Sequence, residues 1–327
     1  MLTFKQIVSG SRPKTLLVGV SGVLVGAFCA WSSLRTWQNQ GIQYVAVPTT
    51  GRFVVVTVLC LLVAVFLQIA VNFANDYSDG IRGTDAHRGS GNRAGADTES
   101  SETARLVAAA NGPVRLTASG VPPKRVLTAA IVNAAVACVA GIAVIILTQQ
   151  WLFLLVGIIC VAAAWFYTGG KHPYGYMGLG EVSVFIFFGL VVTLGTQMVL
   201  LGGSVDFVGI LGALAQGCLA VCVMMVNNLR DLKTDAAADK RTLEVRLGET
   251  GSRVLFVFLL VIGIAYSFGA AYLRNSYEGM IFCLATALTG AITISAVMHR
   301  RYLLALPMAS GTVFVNALIY LLVALSS

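Results

Sequence analysis

Between Phe53 and Ala74 the chain runs apolar for 22 residues, broken only by Thr57, Gln68 and Asn72. A helix of that length spans about 30 Å, the thickness of a bilayer's hydrocarbon core. Nine such runs can be placed, at about 15–34, 53–74, 126–148, 151–169, 181–201, 208–229, 253–273, 278–298 and 303–325. They are continuous rather than alternating, which points to membrane helices and away from a β-barrel. Only 11% of the residues are charged and the mean hydropathy is +0.83, against roughly a quarter charged in a soluble domain. The expected class is all-α: a polytopic membrane protein of nine transmembrane helices, residues 1–327 forming one domain. The apolar run 16–34 follows a basic start, as in a signal peptide. The multi-span pattern behind it favours a retained first helix.

Two of these runs end in acids. The first closes on Asn72, Asn75, Asp76 and Asp79, with Asp85 beyond; the second closes on Asn227, Asn228, Asp231 and Asp235. Spacings of three and four put Asn72, Asp76 and Asp79 on one helical face, and Asn227, Asp231 and Asp235 on another. Carboxylates at the mouth of a membrane helix are costly unless a cation compensates them. Oxygen-only ligand sets suit Mg²⁺, which keeps waters and bridges to substrate phosphates. A single cluster of this kind can also be read as a helix end whose acids pair with Arg82 or cap neighbouring helices. Its repetition, each time before a basic loop, favours a diphosphate substrate held by metal and by Lys and Arg.

Charge also orients the chain. With the N-terminus inside, 19 of the 22 basic residues fall on one side, leaving Arg35, Arg52 and Arg274 on the other. The positive-inside rule makes that side cytoplasmic, in a cell membrane. All but Asp206 and Glu278 of the fourteen acids share it. Acids and bases together on two long loops suggest a polar active-site cap rather than a simple headgroup anchor. The stretch 86–104 has eight Gly, Ser and Thr and no apolar period, and reads as a flexible insertion. The seven cysteines all fall in apolar runs with no CxxC, so they read as packing residues. The three histidines lie outside the runs, which excludes a bis-histidine haem within them. No feature points to a nucleic-acid partner.

The two acidic motifs, the Tyr167–Lys171 YxxxK stretch and the nine-span plan together resemble the UbiA superfamily of intramembrane aromatic prenyltransferases. Asn75-Asp76-Tyr77, Gly112 to Gly120, Tyr167-Thr168-Gly169-Gly170 and Arg230 through Gly248 resemble its 1,4-dihydroxy-2-naphthoate polyprenyltransferase branch. The resemblance implies Mg²⁺ on Asp76, Asp79, Asp231 and Asp235. It implies substrate contacts from Asn72, Asn75, Asp85, Arg115, Tyr167, Lys171, Asn227, Asn228, Lys240 and Arg241. The implied substrates are a polyprenyl diphosphate, its tail among membrane lipid, and 1,4-dihydroxy-2-naphthoate. The implied products are demethylmenaquinone, CO₂ and pyrophosphate. The sequence departs from the family pattern at Gly83, where a third Asp is usual, and at Asp239. Sibling enzymes acting on 4-hydroxybenzoate, haem or a ribosyl-phosphate acceptor remain open at this point. So does a transporter, although transporters place polar groups near the midplane at broken helices.

Overall fold

The computed structural model describes residues 2–41, 49–82, 115–117 and 119–326. The insertion at 86–104, with Asp85, lies outside them. The described chain is helical, with no strand. A short helix, α1 (Phe4–Ser11), precedes α2 (Pro13–Asn39) and α3 (Thr50–Arg82). Then come α4 (Pro123–Thr148), α5 (Leu152–Thr168), a tight turn at Tyr174–Met177 and α6 (Gly180–Leu200). The chain closes with α7 (Phe207–Ala237), α8 (Leu243–Leu273), α9 (Tyr277–Met298) and α10 (Tyr302–Ser326).

Eight of these helices, α2 to α4 and α6 to α10, are long and apolar enough to cross a membrane. The ninth run expected to span, now α5, has 17 residues, about 25 Å of helix and so roughly a turn short of the hydrocarbon core.

The bundle is built as a membrane demands. Large apolar side chains face outward, among them Val132, Val139 and Ile146 on α4, Ile158 on α5, and Leu284 and Leu288 on α9. Small and polar residues fill the interior: Ser21, Thr193, Gln197, Gln216, Thr286 and Asn316 are wholly buried. Lipid tails are as apolar as leucine, so close packing and interhelical hydrogen bonds take over from burial as the force joining helices. One such bond runs from Gln216 Nε2 on α7 to the Val18 carbonyl on α2 (3.0 Å). Gly189 lies where α6 crosses α7, and a Cβ there would strike the backbone of Gly217. Gly189 sits within Phe185–Val191, a wide π-helical stretch of α6, a feature frequent near functional sites.

Helix α7 is the most buried of the spans and packs on α2, α6, α8 and α10. Helix α5 is the opposite case, with only Thr168 buried. It stands off the bundle beside α3 and α4, and the space it leaves is the cavity described next.

Both acidic motifs lie inside helices that continue past their apolar runs. Helix α3 stays regular to Arg82 and α7 to Ala237, so both motifs are presented as helical faces at the same end of the bundle. The other end is closed by a separate cluster, in which Arg274 pairs with Asp206 and donates to Thr36 Oγ1 (2.9 Å).

Candidate active site

Helix α1 ends at Arg12, whose backbone is left-handed (φ 51°), and Pro13 opens α2. The resulting elbow is clamped to α3 from two sides. Asn72 Nδ2 donates to the Ser11 carbonyl (2.9 Å), and the Arg12 guanidinium donates to Asp76 Oδ1 (2.6 Å). Gly10 allows the approach, since a Cβ there would collide with the Phe73 ring. Arg115 reaches the same Asp76 oxygen at 3.0 Å, and the Leu116 N–H approaches Asp76 Oδ2 at 3.4 Å.

Asp79 lies one turn on and takes different partners. Lys240 Nζ is 3.0 Å from its Oδ1, Arg115 is 3.6 Å from its Oδ2, and the Tyr176 hydroxyl donates to it. Lys240 also stands over the Tyr176 ring, 4.5 Å from its centroid, a cation–π contact. Burial, and then the Asp79 charge, push the Tyr176 phenol well above its ordinary pKa. It stays protonated and remains a donor to Asp79.

Lys240 is brought back over α3 by the turn after α7. Asp239 adopts φ 54°, and the Lys240 N–H returns to the Asp235 carbonyl (2.9 Å). The Arg241 N–H then bonds the Tyr176 carbonyl (2.9 Å), and Arg246 bonds the Met177 carbonyl (2.9 Å). These two loops form one cap. Among the described residues Arg82 pairs with no acid; it donates to the carbonyls of Thr168 and Gly170, fixing the turn after α5.

Across from Asp79, Asp231 is held bidentate by Arg230 (2.8 and 2.9 Å) and Asp235 is buried. Between the two motifs opens a cavity of about 1170 Å³. One end is lined by Arg12, Lys14, Arg115, Arg230 and Lys240, with Asp79, Asp231 and Asp235 among them. Asn72, Asn75, Asn227, Asn228 and Tyr167 line it too, and most of the remaining wall is apolar side chains from α2 to α7 and α10.

The sequence-based candidates therefore separate. Asp79, Asp231, Asp235, Asn72, Asn75, Asn227, Asn228, Arg115, Tyr167 and Lys240 meet at the cavity. Asp76 is buried behind the wall, where it anchors two arginines. Lys171 and Arg241 are exposed and do not line the cavity; Arg241 faces Asp239 (3.6 Å). Asp85 lies outside the described residues. Sequence reasoning passed over Arg12, Tyr176 and Arg230. Arg12 had a readable signal, because Phe4, Ile7 and Val8 recur at helical spacing just before Arg12-Pro13.

The donor set can be tested against Mg²⁺. Among the described residues no three acidic, His or Cys side chains converge on one point, so these residues alone build no closed metal cage. Mg²⁺ does not need one: it binds through one or two carboxylates plus substrate phosphates. Asp79 on one wall, and Asp231 with Asp235 on the other, fit an ion that arrives with a diphosphate.

The profile of the UbiA prenyltransferase family matches residues 20–306. The chain belongs to that family. It is 42% identical over 270 residues to the 1,4-dihydroxy-2-naphthoate octaprenyltransferase of Mycobacterium tuberculosis, covering 82% of this chain and 78% of that one. The Escherichia coli protein of the same name is 32% identical over 284 residues, covering 85% and 80%. The fold matches a UbiA homolog from Aeropyrum pernix (TM-score 0.60, 14% identity, 95% of this chain and 96% of that chain). It also matches a UbiA homolog from Archaeoglobus fulgidus bound to DMAPP and Mg²⁺ (TM-score 0.58, 12% identity, 96% and 98%). The described chain is thus a multi-pass UbiA protein, with both aspartate motifs at one end of one bundle.

Proposed function

We propose that this UbiA protein transfers a polyprenyl group from its diphosphate to 1,4-dihydroxy-2-naphthoate in menaquinone biosynthesis. The single observation that carries the reading is the cavity: a cation-rich, carboxylate-bearing head opening into a long apolar chamber. The names of relatives more than 30% identical over most of the chain select the acceptor. A 4-hydroxybenzoate or haem acceptor has no such support.

In this reading Arg12, Arg115 and Lys240 bind the phosphate oxygens by charge-assisted hydrogen bonds. Asp79, Asp231 and Asp235 would hold Mg²⁺, which supplies further neutralisation of the departing pyrophosphate. Asp76 acts through Arg12 and Arg115, keeping both guanidinium groups at the head. The tail lies along the apolar walls, which keep water from the allylic carbon as its C–O bond breaks. The Tyr167 ring face offers cation–π stabilisation to the charge that develops there. The ring carbon bearing the carboxylate bonds to the prenyl carbon. Loss of that carboxylate as CO₂ then leaves its electron pair to restore aromaticity. By charge asymmetry the head faces the cytoplasm, all nine helices cross, and the membrane is the cell membrane.

Incubating membranes with labelled prenyl diphosphate and each aromatic acceptor tests the reading. Product formation with the dihydroxynaphthoate, accompanied by CO₂ from a carboxyl-labelled acceptor, is the expected result. Turnover with 4-hydroxybenzoate instead would overturn it.

A further inference from the structure

Behind the cavity wall lies a polar cluster that the proposed reaction does not use. Glu181, in the first turn of α6, is 5% exposed, and Glu244, in the first turn of α8, is wholly buried. The two carboxyl groups are close neighbours, and the Asn228 side chain lies beside them. Asn228 Nδ2 donates to Glu181 Oε1 at 2.7 Å. Glu181 Oε2 and both Glu244 oxygens are buried with no hydrogen-bond partner among the described residues.

This arrangement settles which way the Asn228 amide points. Its NH₂ is the end that meets Glu181, because a carboxylate oxygen accepts and an amide oxygen cannot donate to it. The Asn228 side chain also lines the cavity, and its Oδ1 is not among the buried unpartnered atoms. The oxygen is therefore the end offered to the cavity. Asn228 precedes Asp231 by three residues on α7, about 4.5 Å of rise toward the apolar chamber. That is the level of the prenyl carbon next to a diphosphate held at Asp231. An attacking ring has to lie within about 3.5 Å of that carbon. Tyr167 and Met224, the latter one turn of α7 further in, line the cavity with Tyr167 Oη 3.8 Å from Met224 Sδ, and give a flat ring a wall to lie against.

We infer that Asn228 Oδ1 accepts the hydrogen bond of a ring hydroxyl on the aromatic acceptor, and that Glu181 and Glu244 are positioning residues that lock its amide in the accepting orientation. The inference rests on the proposed aromatic acceptor and adds how it is oriented. Accepting from the hydroxyl also raises electron density in the ring that attacks.

The test uses full-length protein in membranes with geranylgeranyl diphosphate. The acceptors are 1,4-dihydroxy-2-naphthoate and its two monomethyl ethers, which keep the ring electron-rich but each lack one hydroxyl donor. Glu181→Gln lets the Asn228 amide turn over, and Asn228→Ala removes the oxygen. Each is expected to raise KM for the dihydroxynaphthoate roughly tenfold, the worth of about one hydrogen bond. KM for the prenyl diphosphate should stay within about twofold, a split that general loosening of the fold would not give. One of the two ethers should suffer a similar loss with the unaltered protein and no further loss in either variant. Unchanged acceptor KM, an equal rise in both KM values, or two ethers that bind like the parent would each overturn the inference. Should Glu181→Gln fail to insert, Asn228→Ala and the ethers decide it. No turnover of dihydroxynaphthoate by the unaltered protein would instead refute the acceptor reading, and the inference with it.

Discussion

Arg12 and Asp76 are 64 residues apart in sequence, and their side chains meet at 2.6 Å. The pair joins the elbow before the first span to the end of the second. It holds a guanidinium at the head of the cavity that would otherwise swing free in the headgroup region. Truncating one partner of a close charge pair leaves the other uncompensated. Arg12→Ala is expected to lower kcat/KM for the prenyl diphosphate by roughly 100-fold, mostly through KM. Arg12→Lys should recover part of that, since it keeps the charge and loses the fork. Equal loss in Lys and Ala variants would show that geometry alone matters there.

Metal dependence follows from the two walls of acids. EDTA should stop turnover and added Mg²⁺ restore it, and Asp231→Ala should remove activity from protein that still inserts. Asp76→Ala should also be inactive, but for a different reason, because it releases Arg12 and Arg115. Binding of Mn²⁺ with pyrophosphate separates the two by electron paramagnetic resonance. Asp231→Ala should lose the bound-metal signal and Asp76→Ala should retain most of it. Full activity in EDTA would remove the metal from the mechanism.

The apolar chamber sets the room for the tail. Gly157 on α5 lines it, and a Cβ there meets nothing within 4 Å. Gly157→Phe therefore fills empty space rather than straining packed helices. The variant should turn over a short allylic diphosphate such as geranyl diphosphate within a few-fold of the unaltered protein. With an octaprenyl diphosphate its rate should fall by roughly tenfold or more, the usual scale for one misplaced group in a binding site. Equal rates on both would mean the tail leaves the cavity before reaching α5.

Orientation is open to chemical labelling. Lys171 and Trp151 are exposed at opposite ends of α5. With the exposed Cys138 replaced by Ser, Trp151→Cys should react with an impermeant thiol reagent in right-side-out vesicles. Lys171→Cys should react only after permeabilisation. The reverse pattern would invert the topology and place the diphosphate site outside.

The spans were legible in the sequence because the bilayer imposes one length on every helix, and uninterrupted apolar runs have few other uses. The acidic motifs were legible for a similar reason: spacings of three and four survive in any α-helix, so Asp231 and Asp235 share a face wherever α7 goes. Arg115 and Lys240 were reached only through the family resemblance. What lay beyond reach were the contacts made by chain reversals. Lys240 reaches Asp79 because Asp239 turns left-handed, whereas its neighbour Arg241 points to solvent. Lys171 carries the same charge and sits in a motif, yet the turn held by Arg82 leaves it exposed. Sequence spacing orders side chains within one helix. Which of them face a shared cavity depends on how helices and loops distant in the chain come to rest against each other. The contacts of Arg12 with Asp76 and of Glu181 with Asn228 were decided there, by tertiary packing.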